Sequence, residues 1–66
     1  MHIKVLIKDI RLEKNITLSV LSRRSGVSLS HLSDVENERK NPSLLVMVRI
    51  AKALNVQITD LYKVRW

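Results

Sequence analysis

Thr17-Leu18-Ser19-Val20-Leu21-Ser22-Arg23-Arg24-Ser25-Gly26-Val27-Ser28-Leu29-Ser30-His31-Leu32-Ser33-Asp34-Val35-Glu36-Asn37-Glu38 is the stretch that decides the fold. Thr17 is a good helix N-cap, because its hydroxyl oxygen can accept an otherwise unpaired first-turn N–H. Behind it, Leu18, Leu21 and small Ser22 share one helical face. Arg23 and Arg24 fall in the last turn, where cations complement the helix dipole. The helix should end near Ser25, with Gly26 at the following position, where a left-handed backbone is needed. Ser28, only two residues on, caps the next helix. Leu32 and Val35 of that helix point inward, leaving Ser30, His31, Ser33 and Asp34 outward. Two short helices thus meet at a steep angle across a tight turn, with Leu21, Val27, Leu32 and Val35 buried between them and small Ser22 allowing close approach.

The flanks extend the same pattern. Upstream, Ile3, Ile7 and Ile10, with Leu6 beside them, follow helical spacing and stop at Lys14-Asn15. Downstream, Arg39-Lys40-Asn41-Pro42 is a polar connection. Ser43 then caps a fourth helix with Leu44, Met47, Ile50, Ala51 and Leu54 at core spacing, and Asn55 suits the left-handed position after it. Thr59 is read as the cap of a short fifth helix containing Leu61 and Tyr62. The expectation is one all-α domain of five helices over residues 1–66. Both ends carry a second pattern. Ile3 and Val5 alternate with His2 and Lys4, and Tyr62, Val64 and Trp66 alternate with Lys63 and Arg65, as in half-buried strands. A short β ribbon joining the termini is one reading; an extra helical turn at the start and a frayed tail at the end is the other.

Bulk properties narrow the classes of function. Sixty-six residues bury only about 60% of the unfolded chain's surface, so disulfides, metals or self-association commonly supplement so small a core. Cysteine is absent, and the two histidines, His2 and His31, are too few and too far apart for a metal site. No metal or cofactor is therefore expected, and self-association remains. A net charge of +6 favours an anionic partner, either nucleic acid or a membrane surface. An apolar content of 45% is too high for a disordered basic tail. The apolar run Leu44–Val48 is far short of the roughly 20 residues that span a bilayer. Lys4, Lys8 and Asp9 interrupt any signal-peptide core, so a cytoplasmic protein is expected.

With these residues in place, the chain resembles the Cro- and lambda-repressor-type helix-turn-helix regulators. The resemblance runs from about Ile3 to Tyr62. It is carried by Ile7-Lys8-Asp9-Ile10-Arg11, Thr17-Leu18-Ser19-Val20-Leu21-Ser22, Gly26-Val27-Ser28, Leu32-Ser33-Asp34-Val35-Glu36-Asn37 and Asn41-Pro42-Ser43-Leu44. Ile50-Ala51-Lys52-Ala53-Leu54-Asn55-Val56 and Asp60-Leu61-Tyr62 complete it. Each block is weak alone; their order and spacing together are specific. The resemblance implies a recognition helix, third in the chain, with Leu29, Ser30, Ser33 and Asp34 facing base edges. It assigns Thr17, Ser28, Asn37, Arg39 and Lys40 to the DNA backbone, and pairs Arg11 with Glu36. Two positions depart from the family. Leu18 stands where many relatives carry Gln, and Leu29 replaces a polar base reader. Leu29 can touch only a thymine methyl, whereas Asp34 can accept from cytosine N4.

Each feature also has a plainer reading. His31 either contacts DNA, as a further backbone residue, or is a solvated surface residue. Arg23 and Arg24 are assigned to the dipole of their own helix. Arg39 and Lys40 would be a solvated loop in isolation, but beside the motif they are read as phosphate contacts. Glu36 is held off the polyanion by Arg11, and Glu38 is read as solvated. Val5, Leu12, Val20, Leu45, Val46, Val48 and Trp66 exceed what five short helices need. Those on the last two helices, with Tyr62, Val64 and Trp66, are read as a twofold dimer contact, and Val20 and Leu12 as scattered.

The expected function is a homodimeric, sequence-specific regulator of transcription, most simply a repressor, on a palindromic operator in double-stranded DNA. No catalytic grouping is suggested by spacing, so no enzyme is expected. An antitoxin-like interaction module with secondary DNA binding is the alternative. A membrane-surface peptide is disfavoured, because caps before several segments define short packed helices. No sensor domain fits in this length, which leaves expression level, operator competition or a protein modulator to set activity.

Overall fold

A computed structural model describes all residues, 1–66. The elements run β1 (His2–Val5), α1 (Ile7–Glu13), α2 (Leu18–Ser25), α3 (Leu29–Glu36), α4 (Leu44–Leu54), a 3-10 turn (Ile58–Leu61) and β2 (Tyr62–Arg65). Three α-helices begin at hydroxyl caps. Thr17, Ser28 and Ser43 each accept a hydrogen bond from the backbone N–H three residues on, at 3.2, 3.3 and 3.1 Å. Gly26 takes the left-handed conformation (φ +73°) after α2, where a side chain would be strained. Asn55 does the same after α4 (φ +57°).

The helical faces close on one core: Ile7, Leu21, Val27, Leu32, Val35, Met47, Ile50, Ala51, Leu54 and Leu61. Val5, Ile10, Leu18, Val46 and Tyr62 pack against it from the rim. Part of the apolar excess noted in the sequence, Val5 and Val46, is therefore core lining. Leu12, Leu45, Val48 and Trp66 remain exposed.

Two expectations are corrected. The fold has four α-helices, not five, and a two-stranded sheet. Where a fifth helix beginning at Thr59 was expected, residues Ile58–Leu61 make a single 3-10 turn. That turn starts one residue after Gln57, whose N–H donates to the Asp60 carboxylate at 2.9 Å, and Tyr62 already belongs to β2. It cannot lengthen, because the chain leaves it directly into strand pairing. Leu44, placed in the core by its spacing, is 73% exposed. It is the first residue of α4 and lies beyond the edge of the packed layer.

At the termini the ribbon reading holds. β1 and β2 pair antiparallel in the register His2–Arg65, Ile3–Val64, Lys4–Lys63 and Val5–Tyr62. Facing residues in such a pair share a side of the sheet, so Ile3, Val5, Tyr62 and Val64 form the apolar side. The Leu6 N–H donates to the Leu61 carbonyl at 2.8 Å and fastens the start of α1 to the end of the 3-10 turn.

Candidate nucleic-acid interface

α2 and α3 are held across their turn by polar contacts as well as by the core. The Ser22 hydroxyl donates to the Val27 carbonyl at 2.6 Å, and the Val27 N–H donates to Ser25 Oγ at 3.2 Å. Ser22 is thus more than a small residue permitting close approach: with buried Ser25 it satisfies backbone groups that the turn would otherwise strand. Serine frequency within the turn is the sequence signal for this pair.

The far end of α3 is fixed from α1. Arg11 Nε donates to Glu36 Oε2 at 2.7 Å, Nη2 donates to Oε1 at 3.1 Å, and Nη1 donates to the Ile16 carbonyl at 2.9 Å. This fork-to-carboxylate geometry gives direction as well as charge balance. The two side chains retain only 10% and 4% of their accessibility. Glu38 is exposed, as expected, and has a structural role as well. Its backbone is left-handed (φ +57°), and its Oε1 accepts the Val5 N–H at 3.1 Å. That contact links β1 to the segment after the recognition helix, and no local pattern signals it.

With its inner face and its end secured, α3 presents the remaining residues to solvent. Ser28, Leu29 and Ser30 at its N-terminus are exposed, while His31, Ser33 and Asp34 are half-buried. The Ser28 and Thr17 hydroxyls accept cap bonds, which leaves each O–H free to donate elsewhere. Asn37, exposed after α3, donates from Nδ2 to the Ser33 carbonyl at 2.9 Å and to Ser33 Oγ at 3.5 Å.

Arg39, Lys40 and Asp34, which the sequence assigns to backbone and base contacts separately, form one cluster. Arg39 Nε donates to Asp34 Oδ1 at 2.9 Å, Arg39 Nη2 donates to Ser33 Oγ at 3.3 Å, and Lys40 Nζ stands 3.7 Å from Asp34 Oδ2. The hydrogen bond from Arg39 holds the Asp34 carboxyl below its ordinary range, assisted by the charges of Arg39 and Lys40. The cluster carries two cations against one anion and faces solvent. Tyr62 and Val64 are half-buried on the ribbon, and Trp66 is 92% exposed beyond it, away from this cluster in sequence.

A helix pair joined through the left-handed Gly26 and buried Val27, with a polar, cation-flanked second helix, defines a DNA-binding helix-turn-helix domain. The family model described as helix-turn-helix matches residues 7–61, and the chain belongs to this XRE-type helix-turn-helix family. It is similar to the immunity repressor protein of Bacillus phage phi105, with 40% identity over 53 residues, covering 80% of this chain and 37% of the repressor. It is 38% identical to the transcriptional regulator SinR of Bacillus subtilis over 56 residues, covering 83% of this chain and 50% of SinR. The chain therefore spans between about a third and a half of these two relatives. Among solved structures, the restriction-modification controller protein C.AhdI of Aeromonas hydrophila superposes with a TM-score of 0.80 at 26% identity, over 82% of each chain. The clp gene regulator ClgR of C. glutamicum gives 0.77 at 31%, over 82% of this chain and 70% of that one. The family consists of DNA-binding regulators, and the domain is not an enzyme. No helix is long and apolar enough to cross a membrane.

Proposed function

We propose that this domain represses transcription by occupying a palindromic operator as a homodimer, with α3 of each copy in the major groove. The observation that carries this reading is the exposed, Ser28-capped N-terminus of α3, held by a helix whose opposite face and far end are immobilised. Leu29, Ser30, Ser33 and Asp34 face the bases. Thr17, Ser28, His31, Asn37, Arg39 and Lys40 line the phosphates, with the N-terminal N–H groups of α3 adding a favourable dipole. Arg11 and Glu36 set the angle at which α3 is offered.

A single recognition helix reads only a few base pairs, and twofold symmetry doubles the site. Exposed Leu44, Leu45 and Val48 on α4, with half-buried Tyr62 and Val64 on the ribbon and exposed Trp66 just beyond it, supply apolar surface for that pairing. A second reading, an antitoxin-like module with secondary DNA binding, draws on the open apolar groove of about 800 Å³ between β1, Pro42 and Met47. The outcome that would favour it is a foreign protein bound at fixed stoichiometry together with weak, non-selective DNA binding.

The deciding experiment is selection from random duplex DNA with the purified protein, followed by anisotropy on the recovered site across a salt series. The proposal requires a palindrome with half-sites about one helical turn, roughly 34 Å, apart. Salt-sensitive binding without any preferred sequence would refute it.

A further inference from the structure

The register of the terminal ribbon sorts its side chains by charge as well as by burial. On one side lie the apolar Ile3, Val5, Tyr62 and Val64. On the other lie His2 opposite Arg65 and Lys4 directly opposite Lys63. Like charges facing each other across a strand pair destabilise it. None of these side chains makes an ion pair, since every ion pair of the fold is made by Arg11, Arg39 or Lys40, and the Glu38 carboxylate at the ribbon is engaged by the Val5 N–H. The four side chains border a shallow cleft of about 400 Å³ with no acidic residue in its wall. A ribbon that gathers unpaired cations against its own stability is organised for an anion from outside.

Its position selects the anion. The Val5 N–H to Glu38 bond ties β1 to the segment that immediately precedes Arg39 and Lys40. His2, Glu38 and Lys40 border the same groove. The ribbon therefore stands next to the segment that carries Arg39 and Lys40, with the Glu38 carboxylate at the junction. We infer that Lys4, Lys63 and Arg65 form a second phosphate-binding surface, which engages the duplex backbone flanking the bases read by α3. This inference rests on the DNA-binding reading above. It extends the contacted DNA beyond the helix-turn-helix and adds affinity without sequence information, since phosphates are the same at every step.

The test compares the wild-type protein with a Lys4→Gln/Lys63→Gln/Arg65→Gln variant on a mixed-sequence DNA duplex and on the selected site. Each lost phosphate contact should lower the slope of log K against log salt by about 0.9, so the triple variant should lose about 2–3. Low-salt affinity should weaken by at least about tenfold on both duplexes, leaving the preference between them intact. A Lys8→Gln/Lys14→Gln/Lys52→Gln variant, with the same net charge, should keep most of the slope. Lys63→Glu supplies a reading that misfolding cannot imitate: relieving the Lys4–Lys63 repulsion should raise Tm while DNA affinity falls. An unchanged slope in the ribbon variant would overturn the inference. Equal loss in the two triple variants would also overturn it, by showing a diffuse field instead of a site. So would ribbon-dependent binding to phosphatidylglycerol vesicles with duplex binding unaffected. Failure of the wild-type protein to bind any duplex is a separate result, which refutes the DNA-binding reading itself.

Discussion

Arg11–Glu36 and Arg39–Asp34 are built from the same kinds of side chain and meet α3 only two residues apart, yet they differ in almost every physical respect. The first pair keeps 10% and 4% of its accessibility and is joined by two hydrogen bonds. The second keeps 57% and 26% and is joined by one. Water and salt screen the outer pair, so it adds little to stability and its cation is free to pair with another anion. The inner pair is shielded, and removing either partner strands a charge where water cannot reach it. Burial, not residue type, separates a pair that holds the fold from one that the proposed function gives to DNA.

The largest effect should come from breaking the inner pair. Glu36→Ala or Arg11→Ala is expected to cost about 3–5 kcal/mol, against a total of roughly 3–10 kcal/mol for a chain of this length. Thermal or urea unfolding should show loss of most of the cooperative transition. Replacing both partners by apolar residues, Arg11→Met with Glu36→Leu, should restore much of it, although the Ile16 carbonyl then loses its Arg11 donor. If the single variants shift stability by less than about 1 kcal/mol, the two pairs are energetically alike and the contrast is wrong.

Next in size is the outer pair. Arg39→Ala with Lys40→Ala should leave Tm nearly unchanged. It should weaken binding to all duplexes and flatten the salt slope by about 2, at about 0.9 per phosphate contact. A lowered Tm with an intact slope would move Arg39 into the structural class alongside Arg11.

The same division explains what the sequence could reveal. Thr17, Ser28, Ser43, Gly26 and Asn55 were legible because caps and left-handed positions act within a few residues. The core positions Leu21, Leu32, Val35, Ile50 and Leu54 were legible through helical spacing. Leu44 was not, because spacing identifies a face but not where the packed layer ends along it. The 3-10 turn was obscured by Thr59, a good cap in isolation; the operative contact is the Asp60 carboxylate reaching back to the Gln57 N–H. The strands are four residues each, too short for alternation to exclude a helical turn, and only their pairing decides between the two. Glu38 bonding to Val5 across 33 positions depends on three-dimensional proximity that no local pattern encodes, whereas Asp34 gathers Arg39 and Lys40 through the way the chain turns just after α3.

The smallest effect, and the finest test of the contrast, concerns Asp34. In the free protein its carboxylate partly neutralises the two cations assigned to phosphate. Asp34→Asn should free them, tightening binding to mixed-sequence duplex by severalfold and steepening the salt slope by less than about 1. The same substitution should alter preference among sites by about 1 kcal/mol if the carboxylate accepts from cytosine N4. pH separates charge from shape here. Because the Arg39 hydrogen bond lowers the Asp34 pKa below 3.8 in the folded state, any stability from the pair is fully present above the unfolded value. It is lost only as pH falls through the lower folded one. The difference in DNA affinity between wild type and Asp34→Asn should therefore be constant from about pH 5 to 8. A step inside that window would mean that a group other than Asp34 titrates on the reading face, and the outer cluster would no longer account for the charge that α3 presents to DNA.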